Sequence, residues 1–163
     1  MNYDRIYNMD VVNGKGIRVV LFVTGCNHKC EGCYNKSTWN PCNGTPYTED
    51  TEKHLISLLS NPHVDGLTLT GGDPLYRDNY PTILKLLERV SKELPKKNVW
   101  LWTGYTLEAL QADPERSKLL PYIDVLIDGK YEKDLPTKKP FRGSDNQRMI
   151  EFAKNSIEIK NIA

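Results

Sequence analysis

The chain has 163 residues, 39% hydrophobic and 26% charged, a composition that fits an ordinary globular protein and is too apolar for disorder. Its 22 basic and 21 acidic side chains leave a net charge of +1, so whole-chain electrostatics give no pull toward nucleic acid or anionic lipid. No apolar run approaches the roughly 20 residues that cross a bilayer.

In chain order, the first element is a continuous apolar run over 17–24 (IRVVLFVT), read as a buried strand. It leads directly into Cys26-Asn27-His28-Lys29-Cys30-Glu31-Gly32-Cys33-Tyr34. Thr48 then caps a helix with Glu49, Asp50 and Glu52 in its first turn, favourable at the positive end of the dipole. Leu55, Leu58 and Leu59 form its buried stripe. A second strand, 67–70 (LTLT), ends in Gly71-Gly72-Asp73-Pro74. Residues 79–94 read as a helix with Ile83, Leu87, Val90 and Leu94 on one face.

The third strand is 99–103 (VWLWT), in which Trp100 and Trp102 read as core rather than as a stacking platform. Short helical pieces follow over 106–110 and 115–120, parted at Asp113-Pro114, and the fourth strand is 123–127 (IDVLI). Beyond it, Lys138-Lys139-Pro140-Phe141-Arg142 reads as a solvated loop. Residues 142–147 read as a partner-facing loop or as a turn before the tail.

Strands covered on both faces and alternating with helices predict an α/β fold of successive βαβ units. About four to five parallel strands are too few for a closed eight-fold barrel. The expected architecture is therefore an open, partial (β/α) barrel, one domain over 1–163.

Three thiols within eight residues, on a loop at the C-terminal edge of a parallel sheet, occupy the usual place for an α/β active site. Soft thiolates select zinc, Cu(I) or iron–sulfur clusters. The C-x3-C-x2-C spacing lets one short segment touch three corners of a cube, and favours a cluster with one iron left open. Structural zinc normally takes four ligands in separated pairs. Cys42 could complete a zinc site or a closed cluster, or be a packed bystander. His28 reads as solvent-facing, or as supporting a ligand from behind. Four cysteines with no N-terminal export pattern point to the reducing cytoplasm. Gly71 and Gly72 allow backbone to approach a ligand, with carbonyls that can accept from an ammonium group, or they simply make a strand-to-helix turn. Lys130, after the fourth strand, could meet a cofactor carboxylate or ribose, or pair with Asp128 or Glu132.

The cysteine loop followed one βα unit later by Gly-Gly-Asp-Pro resembles the radical S-adenosylmethionine superfamily. Further blocks are similar to the activating proteins of anaerobic (class III) ribonucleotide reductase. They include Val12-Asn13-Gly14, Trp100-Leu101-Trp102-Thr103-Gly104-Tyr105, Asp128-Gly129-Lys130 and Arg142-Gly143-Ser144-Asp145-Asn146-Gln147. The resemblance implies a 4Fe-4S cluster held by Cys26, Cys30 and Cys33, with S-adenosylmethionine on the fourth iron. Gly32, Cys33, Tyr34 and Gly72 would contact that cofactor, with Gly71 and Asp73 shaping the amino-group pocket and Lys130 as a further contact. One departure is Gly32, where many superfamily members place an aromatic residue over the adenine.

The implied reaction makes a 5′-deoxyadenosyl radical that takes a hydrogen from a glycine of the reductase large subunit. Implied partners are that subunit and a reductant such as flavodoxin, with a possible homodimer within the complex; no membrane or nucleic acid is expected. Two other readings are an activase of another glycyl radical enzyme, such as pyruvate formate-lyase, and a zinc module with Cys42 as fourth ligand.

Overall fold

The computed structural model describes residues 1–153 and 156–161. The strands are β1 (Asn2–Asp10), β2 (Arg18–Val23), β3 (Thr45–Pro46), β4 (Gly66–Gly71), β5 (Asn98–Trp102), β6 (Val125–Asp128), β7 (Arg148–Ala153) and β8 (Ser156–Asn161). The helices are α1 (Glu49–Leu59), α2 (Tyr80–Glu93) and α3 (Leu107–Ala112), with 3-10 turns over Lys36–Thr38 and Arg116–Tyr122. One mixed sheet runs β3-β1-β2-β4-β5-β6-β7-β8. Its outermost strands, β3 and β8, are not joined, so the sheet is open.

The four predicted apolar runs become β2, β4, β5 and β6, the parallel centre of the sheet. Their residues alternate between two faces, as the period of two requires. Val19, Leu21 and Val23 of β2, Leu67 and Leu69 of β4, Leu101 of β5 and Leu126 of β6 join the helices in the main core. On the opposite face Trp100, Val125, Ile127 and Met149 form a second cluster. There Trp100 and Trp102 stack on each other at 5.8 Å. Trp100 is buried as expected, while Trp102 is only half-buried and donates its indole N–H to the Phe141 carbonyl at 2.9 Å.

Thr48 caps α1, its hydroxyl accepting from Thr51 N–H. Leu55, Ile56 and Leu59 are buried, and Leu58 is half-buried against them. In α2, Ile83, Leu86, Leu87 and Val90 form the inner face. Asn79, the residue before α2, donates its side-chain amide to the Thr24 and Asp73 carbonyls at 2.8 and 3.0 Å. It thereby ties the ends of β2 and β4 together.

Arg18 is the one charge inside the first apolar run, and it is fully buried. Its guanidinium donates to Thr68 Oγ1 at 2.6 Å and to the Leu67 and Lys15 carbonyls at 2.8 and 3.0 Å, and lies over the Trp100 ring. Burial pulls its pKa down to about 10.

Four strands, β1, β3, β7 and β8, are additions to the expected pattern, and β3 pairs antiparallel with β1. β1 pairs antiparallel with β2, and β7 pairs antiparallel with β6 and then with β8. Residues 142–147 form the turn that leads into β7. Gln147 Oε1 accepts from Gly143 N–H at 2.7 Å, and its amide donates to the Gly129 carbonyl at 3.0 Å.

Candidate functional site

The parallel strands deliver their C-terminal ends to one rim, and a cavity of about 260 Å³ opens there. Cys26, Cys30 and Cys33 line one part of it. Thr70 to Gly72 at the end of β4, Trp102 to Gly104 at the end of β5 and Gly129 after β6 line the rest. This rim is where parallel α/β sheets place their chemistry, because the loops there converge while the core stays closed behind them.

The cysteine loop is pinned at its base. Gly25 N–H donates to the Thr38 carbonyl at 2.7 Å and Cys26 N–H to the Trp39 carbonyl at 3.1 Å. Burial pushes the Cys26 thiol up to about 11, although the His28 backbone N–H opposes that rise. Without a metal this sulfur therefore keeps its proton at neutral pH, and metal binding must release it. Cys33 Sγ accepts from Asn35 N–H at 3.4 Å.

The two glycines at the end of β4 are needed because three loops meet there. Gly71 has a left-handed φ of 109°, and a Cβ on it would lie 2.5 Å from the Val23 carbonyl oxygen. A Cβ on Gly72 would lie 2.6 Å from the Gly25 carbonyl oxygen and 2.8 Å from that of Thr38. Backbone therefore fills the space that side chains would occupy, leaving main-chain polar groups facing the cavity.

A family model described as a 4Fe-4S single cluster domain matches residues 12–150. An anaerobic ribonucleoside-triphosphate reductase-activating protein from Enterobacteria phage T4 is 60% identical over 149 residues, covering 91% of this chain and 93% of that one. Proteins of the same description from Pasteurella multocida and Escherichia coli are 48% and 47% identical, over 93% and 90% of this chain and 98% and 96% of theirs. The chain belongs to the anaerobic ribonucleoside-triphosphate reductase-activating proteins. A single 4Fe-4S cluster is the cofactor of such a chain.

For this activating-protein family the donor set suits the cofactor. Three soft sulfurs face one cavity whose other walls are glycine backbone, hydroxyl and aromatic groups. Among the described residues, no group of three or more His, Cys, Asp or Glu side chains is placed to hold a single metal ion. Cys42 is exposed and is absent from the cavity lining, so the zinc module with Cys42 as fourth ligand lacks its geometry.

The remaining predicted residues are distributed unevenly. Tyr34 is at the mouth, 84% exposed, with its ring 5.4 Å from that of Tyr131. Gly32 lies off the cavity lining, beside the side chains of Lys133 and Tyr131. Lys130 is exposed and also off the lining. The expected alternative partner of Lys130, Asp128, pairs with Arg148 at 2.5 Å instead. Asp73 is buried beneath the rim rather than facing the cavity. Thr103, Gly129 and Gln147, which sequence marked within resembling blocks without a role in binding, line the cavity, and so do Thr38 and Tyr131. Of these, Thr103 and Gly129 carried a signal, since each directly follows an apolar strand. Tyr131 and Gln147 reach the site only through the loop after β6.

Proposed function

We propose that this chain is a radical S-adenosylmethionine activase, a single domain over 1–163, that installs a glycyl radical on the large subunit of an anaerobic ribonucleotide reductase. The observation that carries the reading is the convergence of three thiols and the Gly71-Gly72 backbone on one cavity at the parallel-strand rim. The open sheet supports a partial barrel of the radical S-adenosylmethionine type. Cys26, Cys30 and Cys33 would hold three irons. When bound, the reduced cluster would supply one electron to the sulfonium, whose C5′–S bond would break to release methionine and a 5′-deoxyadenosyl radical; that radical would take an α-hydrogen from the partner's glycine, giving 5′-deoxyadenosine and the glycyl radical.

The chain's own groups position and shelter these reactants. The Gly71 and Gly72 carbonyls suit the methionine ammonium group. Tyr34 and Tyr131, with rings 5.4 Å apart at the cavity mouth, offer an aromatic face on which an adenine can lie. An open rim suits a protein loop that enters and completes the exclusion of water. Glycine is an accessible target because no side chain blocks its α-carbon. A flavodoxin-like donor, cytoplasmic placement and a homodimer within the reductase complex complete the reading.

The test is anaerobic reconstitution followed by iron and sulfide analysis, electron paramagnetic resonance with and without S-adenosylmethionine, and an assay for 5′-deoxyadenosine. Cys26→Ala, Cys30→Ala and Cys33→Ala should each abolish both the cofactor-responsive signal and the product, and Cys42→Ala should preserve both. A glycyl radical signal on added reductase completes the proof. A reduced spectrum that S-adenosylmethionine leaves unmoved would overturn the proposal.

A further inference from the structure

Asp73 belongs to the Gly-Gly-Asp-Pro turn after β4, but its carboxylate does not face the cavity. Its side chain is 2% exposed, and four donors surround it. Thr103 Oγ1 donates from 2.9 Å, Gly104 N–H from 3.0 Å and Leu75 N–H from 2.8 Å. The fourth is His28, whose Nε2 lies 2.6 Å from Asp73 Oδ2. An ionised carboxylate has about four lone-pair positions, so little of Asp73 remains for a ligand.

His28 is the one donor of the four that comes from the cysteine loop. It sits between Cys26 and Cys30 with a side chain 7% exposed. Its ring meets Tyr105 edge-on at 4.7 Å. Gly104 packs so closely that a Cβ there would lie 2.5 Å from the imidazole. The loop is otherwise pinned at its base, by Gly25 N–H on the Thr38 carbonyl and Cys26 N–H on the Trp39 carbonyl, while its middle is held less. Within it, Cys33 N–H donates to the Cys30 carbonyl at 3.2 Å and Lys29 adopts a left-handed φ of 51°. The Glu31–Lys133 pair is at the surface, where solvent screening leaves it weak.

We propose that His28 is a positioning residue: its bond to Asp73 latches the loop that carries the three cysteines onto the ends of β4 and β5. This rests on the reading of Cys26, Cys30 and Cys33 as cluster ligands. Asp73 then serves the cofactor from beneath, by holding the ligand loop rather than by touching S-adenosylmethionine. A side chain behind a metal ligand typically changes metal retention by about 10–100-fold when removed.

The experiment compares wild type, His28→Ala, His28→Gln and Gly104→Ala, each reconstituted without oxygen and checked for fold by circular dichroism. The readouts are iron content, the rate of iron transfer to a strong chelator, and the spectrum of the reduced cluster before S-adenosylmethionine is added. His28→Ala should lose iron at least about tenfold faster and show a broadened spectrum. The amide N–H of Gln reaches about as far as the imidazole Nε2, so His28→Gln should restore slow release. Gly104→Ala, which pushes the ring from behind, should behave like His28→Ala.

Should His28→Ala fail to fold, His28→Gln against Gly104→Ala decides the matter. Wild-type release rates in a folded His28→Ala, or equal loss in His28→Gln and His28→Ala, overturn the latch alone. Wild-type protein that takes up no iron overturns the cluster reading and the latch with it.

Discussion

At the scale of single residues, Gly72 shows how little room the site has. The Gly25 and Thr38 carbonyls approach the position of its missing Cβ to 2.6 and 2.8 Å, and both are backbone. Neither can swing away as a long side chain would. Gly72→Ala must therefore separate the cysteine loop from the turn after β4. Overpacking of this kind costs about 1–3 kcal/mol, which urea denaturation would read. The larger loss should fall on S-adenosylmethionine binding, because the cavity wall itself moves. A titration showing wild-type affinity in Gly72→Ala would mean that the wall is softer than its contacts suggest. Gly71 and Gly72 were legible as a close-approach turn only beside the cysteine loop one βα unit earlier, since two glycines after a strand also suit a plain strand-to-helix turn. Arg18 was not legible. An arginine opening an apolar run reads as a solvent-facing end, and its burial is explained by Thr68 Oγ1, the Leu67 and Lys15 carbonyls and the Trp100 ring, most of them distant in sequence.

At the scale of elements, the joint between β6, β7 and α3 is held by charge. Arg148 donates to Asp128 at 2.5 and 3.0 Å and to Glu108 at 2.7 and 2.9 Å. Asp128 also accepts from Leu107 N–H at the start of α3. Arg148→Met would leave Asp128, 1% exposed, without its cation. The expected loss is about 2 kcal/mol, typical of a charged hydrogen bond removed from a buried partner. Glu108 adds less, because it is 62% exposed and screened. The Arg148 guanidinium nevertheless holds the Glu108 carboxyl down at about 2, against an ordinary 4.5. Its contribution is complete above pH 4.5 and disappears as pH falls toward 2. Denaturation midpoints across that window should fall more steeply for wild type than for Arg148→Met; parallel curves would contradict the assignment.

Elements differed in how far sequence revealed them. β2, β4, β5 and β6 are covered on both faces and so read as unbroken apolar runs. β1 is largely half-buried or exposed, and its sequence NYDRIYNMD mixes tyrosine and charge without clean alternation. β7 is similar, with Met149 and Ile150 buried between polar neighbours. These flanking antiparallel strands pair with neighbours in the chain, β1 with β2 and β7 with β6 and β8, but no periodic apolar pattern announces them.

At the scale of the whole molecule, the core and the site are separate constructions. Among the described residues, the main cluster of buried hydrophobic side chains draws on β2, β4, β5, β6, β7 and the three helices, and includes no cysteine. Sequence therefore exposed the three thiols, which lie within eight residues, but not the cavity, whose walls come from four strand ends and the loop reaching Gln147. The same separation predicts the consequence of removing iron. Small metal domains unfold when stripped, because the metal replaces a core. Here the core stands without it, and the loss should be confined to the loop that the thiols anchor. Chelated protein should keep its far-ultraviolet circular dichroism and a cooperative urea transition. Its Lys29, exposed and left-handed on that loop, should become a site of rapid tryptic cleavage that iron reloading protects. If stripping the iron instead abolishes the cooperative transition, the sheet and helices do not hold themselves up, and the cluster must count as part of the fold.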